Sequence, residues 1–148
     1  MDSLITIIAG SRDNVSQVHI DHAMTKIDWN VSKVISGTAR GADVFGEVWA
    51  VRNGIPVDRY PADWDKFGKS AGYKRNEQMA TVAEALVAVW DGESRGTSHM
   101  IDIAKKNGLK VYVHKVGKGT KMDTCLQERI FNVSIHALMK SANSSNRN

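Results

Sequence analysis

A chain of 148 residues, 42% hydrophobic and 24% charged, has the size and composition of one globular domain that buries its own core. Its single cysteine, Cys125, excludes an internal disulfide framework and points to a reducing cytoplasm, and no apolar run nears the roughly 18 residues that a membrane span needs. The formal charge of +4 is local: residues 1–114 hold 14 basic and 14 acidic residues, and residues 115–148 hold six and two, so the body offers no general basic face to nucleic acid.

In chain order, five short apolar runs read as buried strands: Leu4–Ala9, Lys33–Ser36, Ile55–Tyr60, Leu86–Trp90 and Leu109–Val113. Their near-continuous Ile, Val and Leu content suits a parallel sheet covered on both faces. Helical patterns lie between them. Ile20, Ala23, Met24 and Ile27 mark the first, Val44, Val48 and Val51 the second, and Met100, Ile103 and Ala104 one that stops at Asn107-Gly108. Strand and helix alternating at this spacing imply right-handed crossovers and an open α/β sheet over residues 1–114. Residues 115–121 read as a flexible basic linker and 141–148 as a disordered tail. Between them, Met122, Leu126, Ile130, Val133 and Ala137 predict an amphipathic C-terminal helix over 122–140, docked on its own body or on a second subunit.

Ligands of open α/β sheets bind beyond the carboxyl ends of the strands. Four loops should meet there: Ala9–Asp13 (AGSRD), Val34–Asp43 (VISGTARGAD), the long Pro61–Asn76 (PADWDKFGKSAGYKRN) and Trp90–Met100 (WDGESRGTSHM). Gly37-Thr38 and Gly96-Thr97 each precede a predicted helix and each lie beside an arginine, Arg40 or Arg95. Such turns expose backbone N–H groups to a phosphate at the positive end of the helix dipole, and arginine adds a forked cation. Trp64, Phe67 and Tyr73 lie in the long loop among Asp63, Asp65, Lys66, Lys69 and Lys74. Either one ring, Trp64 the candidate, stacks on a base while the cations hold phosphates, or the aromatics pin the loop to the body. Asp43, after Gly41-Ala42, is either a carboxylate favoured by the helix dipole or an acceptor for a ribose hydroxyl. His19, His22, His99, His114 and His136 show no metal-ligand spacing, so no metal or cofactor is expected, and His19 and His22 read as solvated.

Taken together, GSRD, GTARGAD, PADW…FGKSAGYKRNEQM and WDGESRGTSHMIDIAKKNGLKVYV resemble the YspA-type branch of the SLOG superfamily over about residues 3–114. The resemblance implies a Rossmann-like open parallel sheet of about five strands, with helices on both faces and a nucleotide-type ligand across the strand ends. It also implies dimers, which favours a homo-oligomer here. Similar proteins include the lonely-guy phosphoribohydrolases, DprA-type DNA-binding proteins and sensors of NAD-derived or cyclic nucleotide signals. Gly10, Ser11, Arg12, Gly37, Thr38, Arg40, Gly96 and Thr97 are the residues expected on the phosphate and ribose, with Gly41 and Asp43 among the further ligand-binding residues. The run RNEQM resembles the lonely-guy RKxxM helix, with Arg75 at its arginine and expected on an anionic group, and with Asn76, a further expected ligand residue, in place of its lysine. His99 stands where those hydrolases carry a glutamate. A protonated histidine opposes an oxocarbenium-like transition state, leaving Asp91 or Glu93 to stand in. The expected function is therefore capture of a phosphorylated nucleotide or nucleotide-derived signal, as a sensor or sponge. N-glycosidic hydrolysis of nucleoside monophosphates is the alternative, followed by single-stranded DNA binding.

Overall fold

The computed structural model describes residues 2–117. These form a five-stranded, all-parallel sheet in the order β3-β2-β1-β4-β5, with β1 Ser3–Gly10, β2 Asn30–Ser36, β3 Val57–Arg59, β4 Ala85–Trp90 and β5 Lys110–Lys115. The chain builds outward from β1 to β3, then crosses back to lay β4 on the other side of β1. That reversal opens a crevice at the carboxyl ends of β1 and β4.

Alternation along each central strand divides the core into two layers. Ile8, Val34, Val87 and Val89 face helices α1 (Gln17–Lys26) and α2 (Ala42–Arg52), while Ile7, Ile35, Leu86 and Ala88 face α4 (Ala71–Val82) and α5 (Arg95–Lys106). Both sides of β4 are covered, which is why its sequence is apolar at almost every position.

Several expectations differ from the structure. The valines of α2 are not its buried face: Val44 is 43% and Val51 72% exposed, and Ala42, Gly46 and Ala50 pack inward instead. Gly46 is there because an added Cβ would come within 2.6 Å of Ile8 Cγ2. His19 is buried rather than solvated, its Nδ1 accepting from the Ser16 backbone N–H at the start of α1 (3.1 Å). The long third loop is mostly helical: α3 (Trp64–Phe67), a 3-10 turn (Gly68–Ser70) and then α4, which carries Tyr73, Arg75 and Asn76. Strand β3 keeps only three residues, because it is an edge strand entered through Pro56. At the other edge β5 runs on to Lys115, and Val116 is buried, so ordered structure reaches into the expected linker. The C-terminal helix over 122–140 and the tail over 141–148 lie outside the described residues. Among the described residues, no helix is long and apolar enough to cross a membrane.

Candidate functional site

Strand β1 ends in Gly10 because nothing larger fits, since an added Cβ would strike the Val89 carbonyl of β4. Ser11 follows, buried, and ties three segments together. Its N–H donates to Val89 O (3.0 Å), its carbonyl accepts from Ala42 N (3.1 Å), and its hydroxyl accepts from Asp91 N (2.9 Å). Gly41 sits at φ +80°, pressed against Ser11 and Arg12, where a side chain would collide with backbone. These residues set the spacing of the loops.

The β2–α2 loop is hydrogen-bonded largely to itself. Thr38 adopts φ +64°, a strained conformation for a β-branched residue, and its N–H donates to Ser36 Oγ (3.1 Å). The Ala39 N–H donates to Asp43 Oδ2 (3.1 Å). Those N–H groups are thus committed within the protein rather than presented as a cradle. Arg40 turns outward to Asp13 (3.2 Å), both side chains more than two-thirds exposed (71% and 72%). The β4–α5 loop differs. Ser94 caps α5, its Oγ accepting from Thr97 N (3.3 Å) and Thr97 Oγ1 (3.0 Å), and the first turn opens toward solvent at Gly96.

These segments enclose an open cleft of about 230 Å³. Its walls are Gly10 and Arg12 after β1, Ala39 and Asp43 at α2, Trp64 and Lys69 of the α3 segment, Tyr73, Arg75 and Asn76 of α4, and Ser94, Gly96 and Thr97 of α5. Eight expected site residues therefore converge: Gly10, Arg12, Asp43, Trp64, Arg75, Asn76, Gly96 and Thr97. Gly37 lies behind the wall, its carbonyl accepting from Arg75 Nη1. Ser11, Thr38, Arg40 and Gly41 do not line the cleft. Of the aromatic residues and lysines of the long third loop, Trp64, Tyr73 and Lys69 line the cleft.

Arg75 is positioned by Asn76, whose Oδ1 accepts from Arg75 Nε (3.1 Å). The amide nitrogen of Asn76 in turn donates to Gly96 O (3.2 Å) and lies 3.2 Å from His99 Nδ1, linking α4 to α5. With that nitrogen as donor, His99 Nδ1 accepts, and the ring packs against Tyr73 at 4.4 Å between centroids. Asp91 Oδ1 accepts from Glu93 N and Ser94 N, both at 2.9 Å, and so shapes the turn before α5. The carboxyl in the cleft is Asp43. Burial pushes its pKa up to about 6, against the pull of the Ala39 N–H and of Arg75 and Arg12. Burial also lowers Arg75 from its ordinary value, with Asp43 opposing that shift. Among the described residues, no carboxylate lies within ion-pair distance of Arg12, Lys69 or Arg75, whereas Lys33, Arg40, Arg52, Arg59 and Lys110 are all paired elsewhere. No group of His, Cys, Asp and Glu able to hold a metal ion occurs among the described residues.

Residues 5–67 match the family described as YspA, cpYpsA-related SLOG. The gene 61 protein of Mycobacterium phage D29 is 38% identical over 84 residues, an alignment covering 53% of this chain and 67% of that one. The chain belongs to the YspA, cpYpsA-related SLOG family. The SLOG match takes in β1 to α3 and so includes the walls formed by Gly10, Arg12, Asp43 and Trp64; those of α4 and α5 lie beyond it. An uncharacterized SPbeta prophage-derived protein of Bacillus subtilis strain 168, YoqJ, is 39% identical over 56 residues, covering 36% of this chain and 33% of its own length. No solved structure matches.

Proposed function

We propose that this SLOG protein captures a phosphorylated nucleotide, or a nucleotide-derived signal of the NAD-derived or cyclic type, and acts as a sensor or sponge. The observation that carries this reading is the convergence of Arg12, Lys69 and Arg75, free of carboxylate partners, with the first turn of α5 and two half-exposed aromatic rings, Trp64 and Tyr73. Cations and helix N–H groups suit phosphate, and the rings suit a base. At about 230 Å³ the cleft is smaller than the roughly 300–1,000 Å³ of most ligand pockets, which favours one nucleotide unit with the rest of a larger ligand outside. Calorimetric titration with nucleoside monophosphates, cyclic nucleotides, NAD and ADP-ribose tests the reading. Micromolar binding of any of them supports it, and no binding across the panel rejects it.

Hydrolysis of the N-glycosidic bond is the second reading, favoured by one observation, the buried carboxyl of Asp43 in the cleft. Against it, His99 occupies the position expected for a catalytic glutamate and is engaged with Asn76 and Tyr73. Capture alone releases no free base on prolonged incubation with nucleoside monophosphates, whereas multiple-turnover release seen by chromatography would establish the hydrolase. The reading also includes a homo-oligomer in a reducing cytoplasm, in which the outward valines of α2 supply an apolar surface for a second copy.

A further inference from the structure

Asp43 is buried, only 6% of the residue being exposed, yet it forms part of the cleft wall. Its Oδ2 accepts from Ala39 N, and among the described residues no other group donates to this carboxylate. No wholly buried side-chain oxygen lacks a partner among those residues, so Oδ1 owes its access to the cleft that Asp43 lines. Arg75 stands close by without pairing to it. A Cβ built on Gly37, behind the wall, would lie 2.8 Å from Arg75 Nη1 and 2.8 Å from Asp43 Oδ2, so guanidinium and carboxylate, both lining the cleft, are close neighbours.

That juxtaposition restricts the ligand. A bare anion gains from Arg75 and is repelled by Asp43 within a few ångströms. An ionised carboxylate can only accept, so the matching ligand brings a donor beside its anionic group. A ribose does so, because its hydroxyls lie a few bonds from the phosphate. Resting on the nucleotide reading above, we propose that Asp43 is a specificity residue that accepts a hydrogen bond from the ribose diol, so that the cleft selects ribonucleotides over their deoxy counterparts.

The test uses the 5′-monophosphates of adenosine, guanosine and cytidine with their 2′-deoxy and 3′-deoxy forms, titrated calorimetrically at about pH 8, where Asp43 is ionised. The ribo form should bind roughly 10- to 100-fold more tightly than at least one deoxy form, the scale of a hydrogen bond to a charged group. In Asp43→Asn the amide oxygen must serve Ala39 N, which leaves only a neutral NH₂ toward the ribose hydroxyl in place of a charged acceptor, so the preference should shrink to a few-fold. Asp43→Ala removes every side-chain acceptor at this position, so there the preference should vanish. Equal affinity for ribo and deoxy forms in the wild-type protein overturns the proposal while leaving nucleotide binding intact. An undiminished preference in Asp43→Ala, or in Asp43→Asn if the alanine variant fails to fold, removes Asp43 from the role. If no monophosphate binds, both this proposal and the nucleotide reading on which it rests fail for these ligands.

Discussion

A methyl group added at Gly96 meets no atom within 4 Å, whereas one at Gly10 runs into the β4 backbone. Two glycines of one cleft thus answer to different constraints. Gly96 lies in the first turn of α5, where alanine is the better helix former by roughly 0.5–1 kcal/mol. Gly96→Ala should therefore leave the melting temperature unchanged or slightly raised while weakening nucleotide binding, because its methyl projects where the ligand approaches. Thermal melts beside calorimetric titrations check both halves, and undiminished binding would mean that the ligand stays clear of this turn. Gly10→Ala should instead cost about 1–3 kcal/mol of stability, the scale of an overpacked core. The arginines divide in the same way. Arg75→Ala should weaken nucleotide binding by about 1.5–3 kcal/mol, and Arg75→Lys should restore little of that loss, since a point charge cannot reproduce the fork aimed by Gly37 and Asn76. Arg40→Ala removes only an exposed pair with Asp13 and should shift binding and stability by no more than about 0.5 kcal/mol. Sequence alone could not separate Arg40 from Arg75 as anion ligands, because the choice depends on a loop bent by Thr38 and Gly41 at positive φ.

At the scale of elements, the sheet was legible and the helix faces only partly so. Ile7, Ile8, Val87 and Val89 announce buried parallel strands because both faces of those strands are covered and nearly every position must be apolar. Helix α2 misleads for the opposite reason. Its inward face is Ala42, Gly46 and Ala50, small residues that let the helix lie close to β1 and carry no hydrophobic periodicity, while its valines form the stripe that the eye finds. The start of α4 was hidden in a similar way, since Gly68 and Gly72 read as loop and its inward Ala71 and Asn76 are not large apolar residues. The site suffered less. Its loops are marked by glycine, serine and arginine at strand ends, and only their internal hydrogen bonds, such as Ala39 N to Asp43, escape a reading of spacing. An outward valine stripe has a testable consequence. Val44→Lys combined with Val51→Lys alters exposed positions and should change protomer stability by no more than about 0.5 kcal/mol each. If this face joins two copies, light scattering should report a lower mass for the double variant than for the wild-type protein. An unchanged oligomer would assign the contact to another surface.

Over the whole molecule, a buried carboxyl and a half-buried imidazole pull stability in opposite directions with pH. His114 on β5 is held below its ordinary value by burial first and then by His22, His19 and Lys26, so the unfolded chain takes up its proton more readily and stability falls as pH drops below about 6.5. Asp43 is held above its ordinary value, at about 6, so the folded protein keeps its proton more readily than the unfolded chain. Its contribution is therefore most favourable at low pH and is lost as pH rises from the unfolded value of 3.8 through about 6. The full displacement corresponds to about 3 kcal/mol as an order of magnitude. Asp43→Asn keeps the shape and removes the titration, while His114 remains in both proteins and cancels in their difference. The variant should therefore gain on the wild-type protein as pH rises from about 4 to about 7, by up to about 3 kcal/mol, and hold that gain above it. Urea unfolding of both proteins across that range measures the difference directly. A gap that does not widen with pH would mean that Asp43 titrates like an exposed carboxylate and that the cleft floor is wetter than its burial implies. A gap that widens as described would show that the fold gives up stability to keep an ionised carboxylate beside Arg75 at neutral pH, as a residue kept for a ligand would require.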